Sequence, residues 1–222
     1  MIQTAAVLGA GTMGAQIAAH LANAGLPVLL LDVTSDAAAA GLERAKRLKP
    51  DPFFVPANAA LITTGSFDER IADAGRADWI IEAIVEKLDA KQALFASIAP
   101  HLKPASIVTT NTSGIPIRQL ATHAFTSRFL GAHFFNPPRY LPLVELIPTD
   151  RTDPAVVAEL RAFLDLRLGK GVVLAKDSPG FIANRIGVYG MARTLELVGA
   201  GAFTIDEVDA LTGPAIGRPK SA

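Results

Sequence analysis

A glycine-rich turn near the start of the sequence constrains the fold more than any other feature. The hexapeptide GAGTMG (9–14) follows the apolar run AAVLG and opens an amphipathic segment. The next apolar run, PVLLLD, ends in Asp32. A strand, a glycine-rich turn and a helix, with an acidic residue at the end of the second strand, form the dinucleotide-binding fingerprint. The sequence therefore predicts that the chain begins with a Rossmann-type unit.

Each glycine of the turn has a separate task in this prediction. Gly9 permits the tight turn, Gly11 lets the backbone approach a pyrophosphate, and Gly14 lets the helix pack close to the strand. Thr12 and Met13 begin that helix, whose N–H groups would bind the pyrophosphate. The alternative interpretation is a structural turn that binds no ligand.

Asp32 indicates which dinucleotide would bind. Its carboxylate would accept hydrogen bonds from both ribose hydroxyls and would repel a 2′-phosphate. Val33 and Thr34 follow it, so no arginine stands immediately after it. We therefore predict that the cofactor is NAD and not NADP.

Short apolar runs alternate with longer amphipathic segments through most of the chain. Several of the runs are apolar throughout rather than alternating, as is typical of strands covered on both faces. We predict strands at 5–9, 27–32, 61–65, 79–83, 106–111, 129–135, 144–148 and 171–176, and helices at 12–24, 35–48, 87–101 and 154–167. This alternation predicts an α/β fold with a Rossmann-type, doubly wound and mostly parallel sheet.

The segment DSPGFIANR (177–185) marks the start of a new unit. Ser178 can cap a helix and Pro179 can occupy its first position. Helices are predicted at 179–198 and 205–211, and little sequence follows them against which they could pack. We predict two domains: a Rossmann domain at 1–177, and at 178–222 the first helices of a truncated all-α C-terminal domain. The alternative is that these helices pack back on the sheet.

The composition excludes several classes of protein. Lysine plus arginine and aspartate plus glutamate both total 21, so there is no basic excess of the kind that nucleic-acid binders show. The absence of cysteine excludes disulfides, thiolate metal sites and thiol nucleophiles, and we predict no metal site. No apolar run is long enough to span a membrane, and the N-terminus shows no signal peptide. A cytoplasmic protein is the simplest interpretation.

Polar residues stand at the predicted carboxyl ends of several strands, where open α/β sheets bind their ligands. They include Glu82, the segment TNTSG (110–114), and His133 within the run FLGAHFF. An imidazole can take a proton from a substrate hydroxyl near neutral pH, and a carboxylate such as Glu145 could fix its tautomer. From the residues alone, His133 could equally be a satisfied core histidine.

Five segments extend this interpretation. GAGTMGAQIA, IIEAIVEKLDAKQALF, TTNTSGIPI, GAHFFNPPRYLPLVELI and KDSPGFIANRI occur in this order between residue 5 and about residue 190. Together they resemble the L-3-hydroxyacyl-CoA dehydrogenases of fatty-acid β-oxidation, in particular the dehydrogenase part of larger bacterial β-oxidation proteins. The resemblance implies NAD-dependent oxidation of an L-3-hydroxyacyl-CoA to the 3-oxoacyl-CoA.

The resemblance also implies roles for individual residues. His133 falls on the catalytic base of the family, and Glu145 falls on the acid that orients it. Ser113 and Asn184 fall on residues that hydrogen-bond the substrate's 3-oxygen. The positions that match the family's further NAD contacts are Glu86, Lys91, Asn136 and again Ser113.

Partners follow from the same resemblance. It implies an acyl-CoA substrate, a homodimer formed through C-terminal helices if the full chain is present, and hydratase modules in a larger polypeptide. The basic run ERAKRLK (43–49) could meet CoA phosphates or could simply be a solvated helix face. The segment KPDPFFVPANAA (49–60) has no clear period and is predicted as a loop or surface excursion.

Two other functions stay open. A β-hydroxyacid dehydrogenase would act on free acids, but it would use a lysine on the long helix, and the segment 179–198 contains none. The chain could also bind NAD and be catalytically inert, since helices that would cover the acyl site are missing.

Overall fold

A computed structural model describes residues 2–121 and 125–217 of the chain. The chain divides into two compact units, Met1–Phe181 and Ile182–Ala222. The predicted domain boundary after residue 177 lies just before this division. That the second unit is the start of a longer helical domain stays a prediction.

An eight-stranded sheet forms the centre of the first unit, with the strand order β3-β2-β1-β4-β5-β6-β7-β8. Neighbours from β3 to β6 are parallel, β7 runs antiparallel to β6, and β8 is parallel to β7. The strands are β1 (Ala5–Leu8), β2 (Val28–Asp32), β3 (Ile62–Ser66), β4 (Trp79–Glu82), β5 (Ile107–Thr110), β6 (Phe129–Phe134), β7 (Leu143–Pro148) and β8 (Gly171–Leu174). The predicted doubly wound, mostly parallel sheet is therefore confirmed, with a strand at each predicted position.

Within the described part of this unit, six α-helices accompany the sheet: α1 (Thr12–Asn23), α2 (Ser35–Ala45), α3 (Phe67–Gly75), α4 (Leu88–Ile98), α5 (Ile117–Leu120) and α6 (Pro154–Leu168). Helices α3 and α5 were not predicted from the sequence. In α3, Phe67, Ile71 and Ala74 recur at helical spacing, and Phe67 and Ile71 are half-buried against the core, but the element is only nine residues long. The Ser66 hydroxyl caps its start by accepting the N–H of Glu69. Helix α5 is a single turn, too short to produce a period.

Two hydrophobic clusters cover the two faces of the sheet. One joins strand residues to α1 and α6 through side chains such as Ile17 and Leu164, and the other joins them to α4 through Phe95 and Ile98. The sole tryptophan, Trp79, lies fully buried in β4, and its indole N–H donates to the Thr109 hydroxyl at 2.9 Å. Burial on both faces explains why the strands are apolar throughout.

The proline-rich segment 49–60 is an ordered excursion that ends in a 3₁₀ helix, Pro56–Leu61. The Asn23 side chain donates to the Pro52 carbonyl at 2.8 Å and accepts the Phe54 N–H at 2.9 Å. Arg139 donates to the carbonyls of Asp51 and Phe53 at 2.5 and 2.6 Å. Both anchors bind the main chain of the excursion.

The second unit contains α7 (Ala183–Gly199) and α8 (Ile205–Thr212). The sequence predicted a helix that begins at residue 179, and this start is wrong. Gly180 and Phe181 have φ angles of 73° and 46°, and left-handed residues cannot continue a right-handed helix. Large apolar side chains of α7 are exposed, among them Ile186, Tyr189, Met191 and Leu195. None of the helices in residues 2–121 and 125–217 is long and apolar enough to cross a membrane.

His20 is a buried histidine in α1 that lies close to the Leu168 backbone. Its side chain is 4% exposed, and neither ring nitrogen has a hydrogen-bond partner among the described residues. Burial lowers the pKa of His20 to about 4, assisted by the positive charge of Lys170 and, more weakly, of Arg139. The folded protein therefore holds this imidazole neutral at pH values where the unfolded chain binds a proton.

We expect acid to destabilise the protein through His20. Between pH 6.5 and pH 4 the unfolded chain gains a proton that the folded chain does not, so the free energy of unfolding falls as the pH falls through this window. This contribution amounts to at most about 3 kcal/mol, since one pKa unit corresponds to about 1.4 kcal/mol. Urea unfolding at pH 7.5 and pH 4.5, followed by Trp79 fluorescence, should show a smaller acid loss in His20→Leu than in the unmodified chain. His101→Gln, at an exposed histidine, is the control, and equal acid losses in all three proteins would contradict the prediction.

Candidate active site

The glycine-rich turn is built around two close backbone approaches. Gly9 has a φ of 110°, and a Cβ atom there would lie 2.6 Å from the Ala83 carbonyl oxygen. A Cβ atom at Gly14 would overlap the Gly9 carbonyl oxygen, so α1 packs directly on the turn. At Gly11, by contrast, a Cβ atom would meet no atom within 4 Å. The fold therefore requires glycine at positions 9 and 14. Gly11 instead borders open space from which a ligand could approach the backbone.

Asp32 is fixed beside this turn. One carboxylate oxygen accepts the Ala10 N–H and the other accepts the Val33 N–H, each at 2.7 Å. Because β1 and β2 are parallel neighbours, the end of β2 places the carboxylate next to the turn that follows β1. The predicted dinucleotide-binding residues Gly9, Gly11, Thr12, Met13, Gly14 and Asp32 thus belong to one local structure around the start of α1.

His133 and Glu145 face each other across β6 and β7. The antiparallel register pairs the two residues directly, and His133 Nδ1 lies 2.8 Å from Glu145 Oε2. Both side chains are buried, and Phe135 packs against the imidazole with a distance of 4.5 Å between ring centroids. A carboxylate on Nδ1 sets the ring orientation, so that proton exchange with a ligand would use Nε2.

A buried ion pair lies at the end of β4. Lys91 Nζ is 2.5 Å from Glu82 Oε1, and the two side chains are 1% and 0% exposed. Glu82 also accepts the Thr110 hydroxyl at 2.5 Å and the Ile84 N–H at 2.7 Å. Both carboxylate oxygens are therefore bonded, which offsets part of the cost of removing the charges from water.

Glu86 extends this network to the loop after β5. It lies 3.3 Å from Lys91 Nζ and accepts the Ser113 and Gly114 N–H groups at 2.9 and 3.1 Å, as well as the Thr112 hydroxyl. Partial burial raises the pKa of Glu86, but the Thr112 hydrogen bond and the Lys91 charge outweigh it and hold this pKa below its usual value. Glu86 is 40% exposed and can still reach a ligand, whereas the Lys91 ammonium group is enclosed by protein atoms.

Asn136 connects the end of β6 to the start of α1. Its side-chain oxygen accepts the Gln16 amide at 3.1 Å, and the same amide donates to the Thr12 carbonyl at 3.0 Å. Asn184 lies in α7, within the second unit. The structure thus joins Glu86, Lys91 and Ser113 in one network and His133 and Glu145 in a pair, and it leaves the role of Asn184 as a prediction.

Comparison with known proteins decides the family. A family model described as the NAD-binding domain of 3-hydroxyacyl-CoA dehydrogenase matches residues 4–178. The chain belongs to the 3-hydroxyacyl-CoA dehydrogenase family. It carries the NAD-binding domain of that family, so its cofactor is NAD.

Relatives of this 3-hydroxyacyl-CoA dehydrogenase domain differ in length. Probable 3-hydroxyacyl-CoA dehydrogenases of Deinococcus radiodurans and Bacillus subtilis are 49% and 45% identical over the whole chain, which spans 67% and 31% of their lengths. The crystal structure of a (S)-3-hydroxybutyryl-CoA dehydrogenase from Ralstonia eutropha superimposes with a TM-score of 0.80 at 32% identity, covering 95% of this chain and 76% of that one. A 5-formyl-3-hydroxy-2-methylpyridine 4-carboxylate 5-dehydrogenase of Mesorhizobium japonicum is 34% identical over 98% of this chain and 72% of its own.

Sequence analysis of the dehydrogenase site missed the part that Phe181 plays. This buried residue packs its ring against His133, with 5.8 Å between centroids, from a backbone φ of 46°. A left-handed conformation costs a non-glycine residue about 1–2 kcal/mol. The preceding Gly180 indicates a turn, but nothing in the sequence indicates that the next side chain reaches the histidine.

Sequence analysis noted Glu82 but gave it no partner. Its central place in the network depends on β4 and β5 being parallel neighbours, which brings Thr110 beside it, and on α4, which returns Lys91 to the end of β4. The spacing of these residues along the chain does not indicate that they meet.

We expect Glu82→Gln to destabilise the protein by about 3 kcal/mol, the lower end of the cost of breaking a buried ion pair, because it leaves the buried Lys91 ammonium group with only the partly exposed Glu86 carboxylate at 3.3 Å. The matched control is Glu43→Gln, since Glu43 binds Lys46 at a similar distance, 2.6 Å, but at the surface. Loss of such an exposed pair should cost much less, because water screens the two charges. Urea unfolding of both variants measures the difference.

The double variant Glu82→Gln/Lys91→Met separates charge from packing. Removing both charges should restore part of the stability that Glu82→Gln alone loses. If Glu82→Gln and the Glu43→Gln control have the same free energy of unfolding, the buried pair of Glu82 and Lys91 does not stabilise the fold.

Proposed function

We propose that the chain forms the NAD-binding and proton-transfer part of an enzyme that oxidises L-3-hydroxyacyl-CoA to 3-oxoacyl-CoA in fatty-acid β-oxidation. The observation that carries the proposal is the 2.8 Å contact between His133 Nδ1 and Glu145 Oε2, in a chain that carries the NAD-binding domain of its family. Oxidation of a secondary alcohol requires a base for the hydroxyl proton and an acceptor for a hydride. NAD, when bound, supplies the hydride acceptor.

In the proposed mechanism His133 is the base. Nε2 takes the proton of the 3-hydroxyl group while the C3–H bond breaks, and the imidazole becomes an imidazolium. Glu145, bonded to Nδ1, stabilises this positive charge and holds the ring in the required tautomer. Phe135 and Phe181 restrict the ring from two sides, which keeps Nε2 in one direction.

Ser113 and Asn184 would hydrogen-bond the 3-oxygen of the substrate. Support for Ser113 comes from its loop, whose backbone is fixed by the charged Glu86. We propose that Glu86, Asn136 and Ser113 contact the bound cofactor. Lys91 would act on NAD through Glu86 rather than by direct contact, because its ammonium group is buried.

We also propose the partners and the place of action. The substrate would be an acyl-CoA. A longer chain would form a homodimer through its C-terminal helices and could carry hydratase modules, which agrees with the 31% share of the Bacillus subtilis relative that this chain spans. Action in the cytoplasm belongs to the same proposal.

A second candidate function is oxidation of a free hydroxy acid without CoA. It is favoured by the Mesorhizobium japonicum relative, whose name contains no CoA. A lysine-based β-hydroxyacid mechanism is a poorer fit, because α7 (ANRIGVYGMARTLELVG) contains no lysine. A third possibility is that this chain binds NAD without turnover and becomes active only when a C-terminal extension is present.

The test is acetoacetyl-CoA reduction with NADH, by this chain and by a C-terminally extended one. His133→Ala should reduce kcat by about 100-fold or more, since positioned acid–base groups contribute this much. Glu145→Gln should reduce kcat less, and NADH affinity should change little in either variant. His101→Gln, at an exposed histidine, is the control.

Three outcomes would contradict the proposal. Full activity of His133→Ala would remove the role of that residue. Faster turnover of acetoacetate than of its CoA thioester would favour the free-acid function. NADH binding without turnover in either length of chain would support the inert alternative.

A further inference from the structure

A cation reaches the glycine-rich turn from α2. Arg44 Nη2 donates to the Ala10 carbonyl oxygen at 3.1 Å. The N–H of the same residue, Ala10, donates to Asp32 Oδ2 at 2.7 Å. A guanidinium group and a carboxylate are thus both anchored on the second residue of the turn, at the end of β2 where the adenosine ribose of a dinucleotide binds.

The position of Arg44 is set by the packing of its helix. A Cβ atom at Gly41, one turn earlier in α2, would overlap the Ala10 carbonyl oxygen, so the helix backbone lies directly against the turn. Residues three apart on a helix share a face, which directs Arg44 toward the same carbonyl. Arg44 thus reaches the turn from a position 12 residues after Asp32. The residues that directly follow Asp32, Val33 and Thr34, therefore do not indicate that an arginine lies nearby.

We propose that Arg44 is a specificity-determining residue: together with the turn it forms a latent site for the 2′-phosphate of NADP, which the Asp32 carboxylate keeps closed. An acidic residue at the end of β2 selects NAD, and a nearby arginine accommodates the 2′-phosphate of NADP. This chain has both groups beside one residue. The inference rests on the dinucleotide site and not on the proposed proton transfer.

Arg44 retains the capacity to bind an anion. A guanidinium group has five N–H donors in a planar fork that matches phosphate oxygens, and the Ala10 carbonyl engages one nitrogen. Within residues 2–121 and 125–217, no ion pair includes Arg44. Lys46, two residues later, is paired with Glu43 at 2.6 Å. Arg44 is therefore the member of the basic run 43–49 that meets the turn.

The proposal is tested by cofactor binding, without turnover. Dissociation constants of NADH and NADPH are measured by calorimetry for Asp32→Asn, Arg44→Met and the double variant. Asp32→Asn keeps one acceptor oxygen for the backbone N–H groups but loses the charge, so NADPH should bind about tenfold or more tightly relative to NADH. Adding Arg44→Met should remove most of that gain. Arg47→Met, at an exposed arginine of the same run, is the matched control and should leave the gain within about twofold.

A second measurement covers the case in which Asp32→Asn does not fold. Adenosine 2′,5′-bisphosphate and 5′-AMP carry the ribose with and without the 2′-phosphate, and they do not touch the nicotinamide side. Because Asp32 keeps the site closed, the nucleotides are compared in an Asp32→Ser background, where Arg44→Met should weaken the bisphosphate by about tenfold and 5′-AMP by less than about threefold. Equal weakening of both nucleotides, or a double variant that binds NADPH as tightly as Asp32→Asn, would overturn the assignment of Arg44. Loss of dehydrogenase activity in His133→Ala has no bearing on either result.

Discussion

Direct contact between backbones around residues 9–14 is the constraint on which the rest of the dinucleotide site depends. Strand β1 turns into α1 at Gly9, against the Ala83 backbone, and α1 returns over the Gly9 carbonyl at Gly14. Helix α2 packs through Gly41 directly against the carbonyl oxygen of Ala10, the second residue of the turn. Because no side chains separate these segments, their relative positions are fixed within the small tolerance of van der Waals contact. Asp32 and Arg44 both use this arrangement, since both bind Ala10.

The catalytic groups that we propose are positioned by a change in strand direction. The first six strands in sheet order run parallel, so their polar ends gather at one edge, whereas β7 returns antiparallel to β6. This reversal places Glu145 opposite His133 in the sheet itself, where register allows no slip without moving every side chain of the strand to the other face. The network of Glu82, Lys91 and Glu86 performs the corresponding task for the Ser113 loop, through hydrogen bonds rather than strand pairing.

The sequence predicted well those features that short-range patterns determine. The strands are apolar because both faces are covered, and the glycine-rich turn is specific because its backbone approaches leave no room for Cβ atoms, so both could be predicted. The pairing of His133 with Glu145 could be proposed because an imidazole that acts as a base needs a carboxylate to fix its tautomer and because the family resemblance matched both positions. Helix α3 was missed because its apolar stripe extends over only nine residues, and the start of α7 was placed too early because the left-handed residues Gly180 and Phe181 follow a good capping sequence. Lys91 with Glu82, and Arg44 with Ala10, depend on how helices return to the sheet, which local spacing does not encode.

The anchoring of the excursion 49–60 bears on how this protein can change over evolution. Asn23, Arg139 and the Tyr140 hydroxyl bind carbonyl and N–H groups of the segment between Asp51 and Phe54, and these groups are present whatever the side chains are. Substitutions at exposed positions such as Val55 therefore leave these backbone anchors in place, whereas Phe53 is buried in the core and the Phe54 ring lies 4.7 Å from the Arg139 guanidinium group. The exposed positions of the segment can therefore take new side chains while its backbone anchors hold it in place.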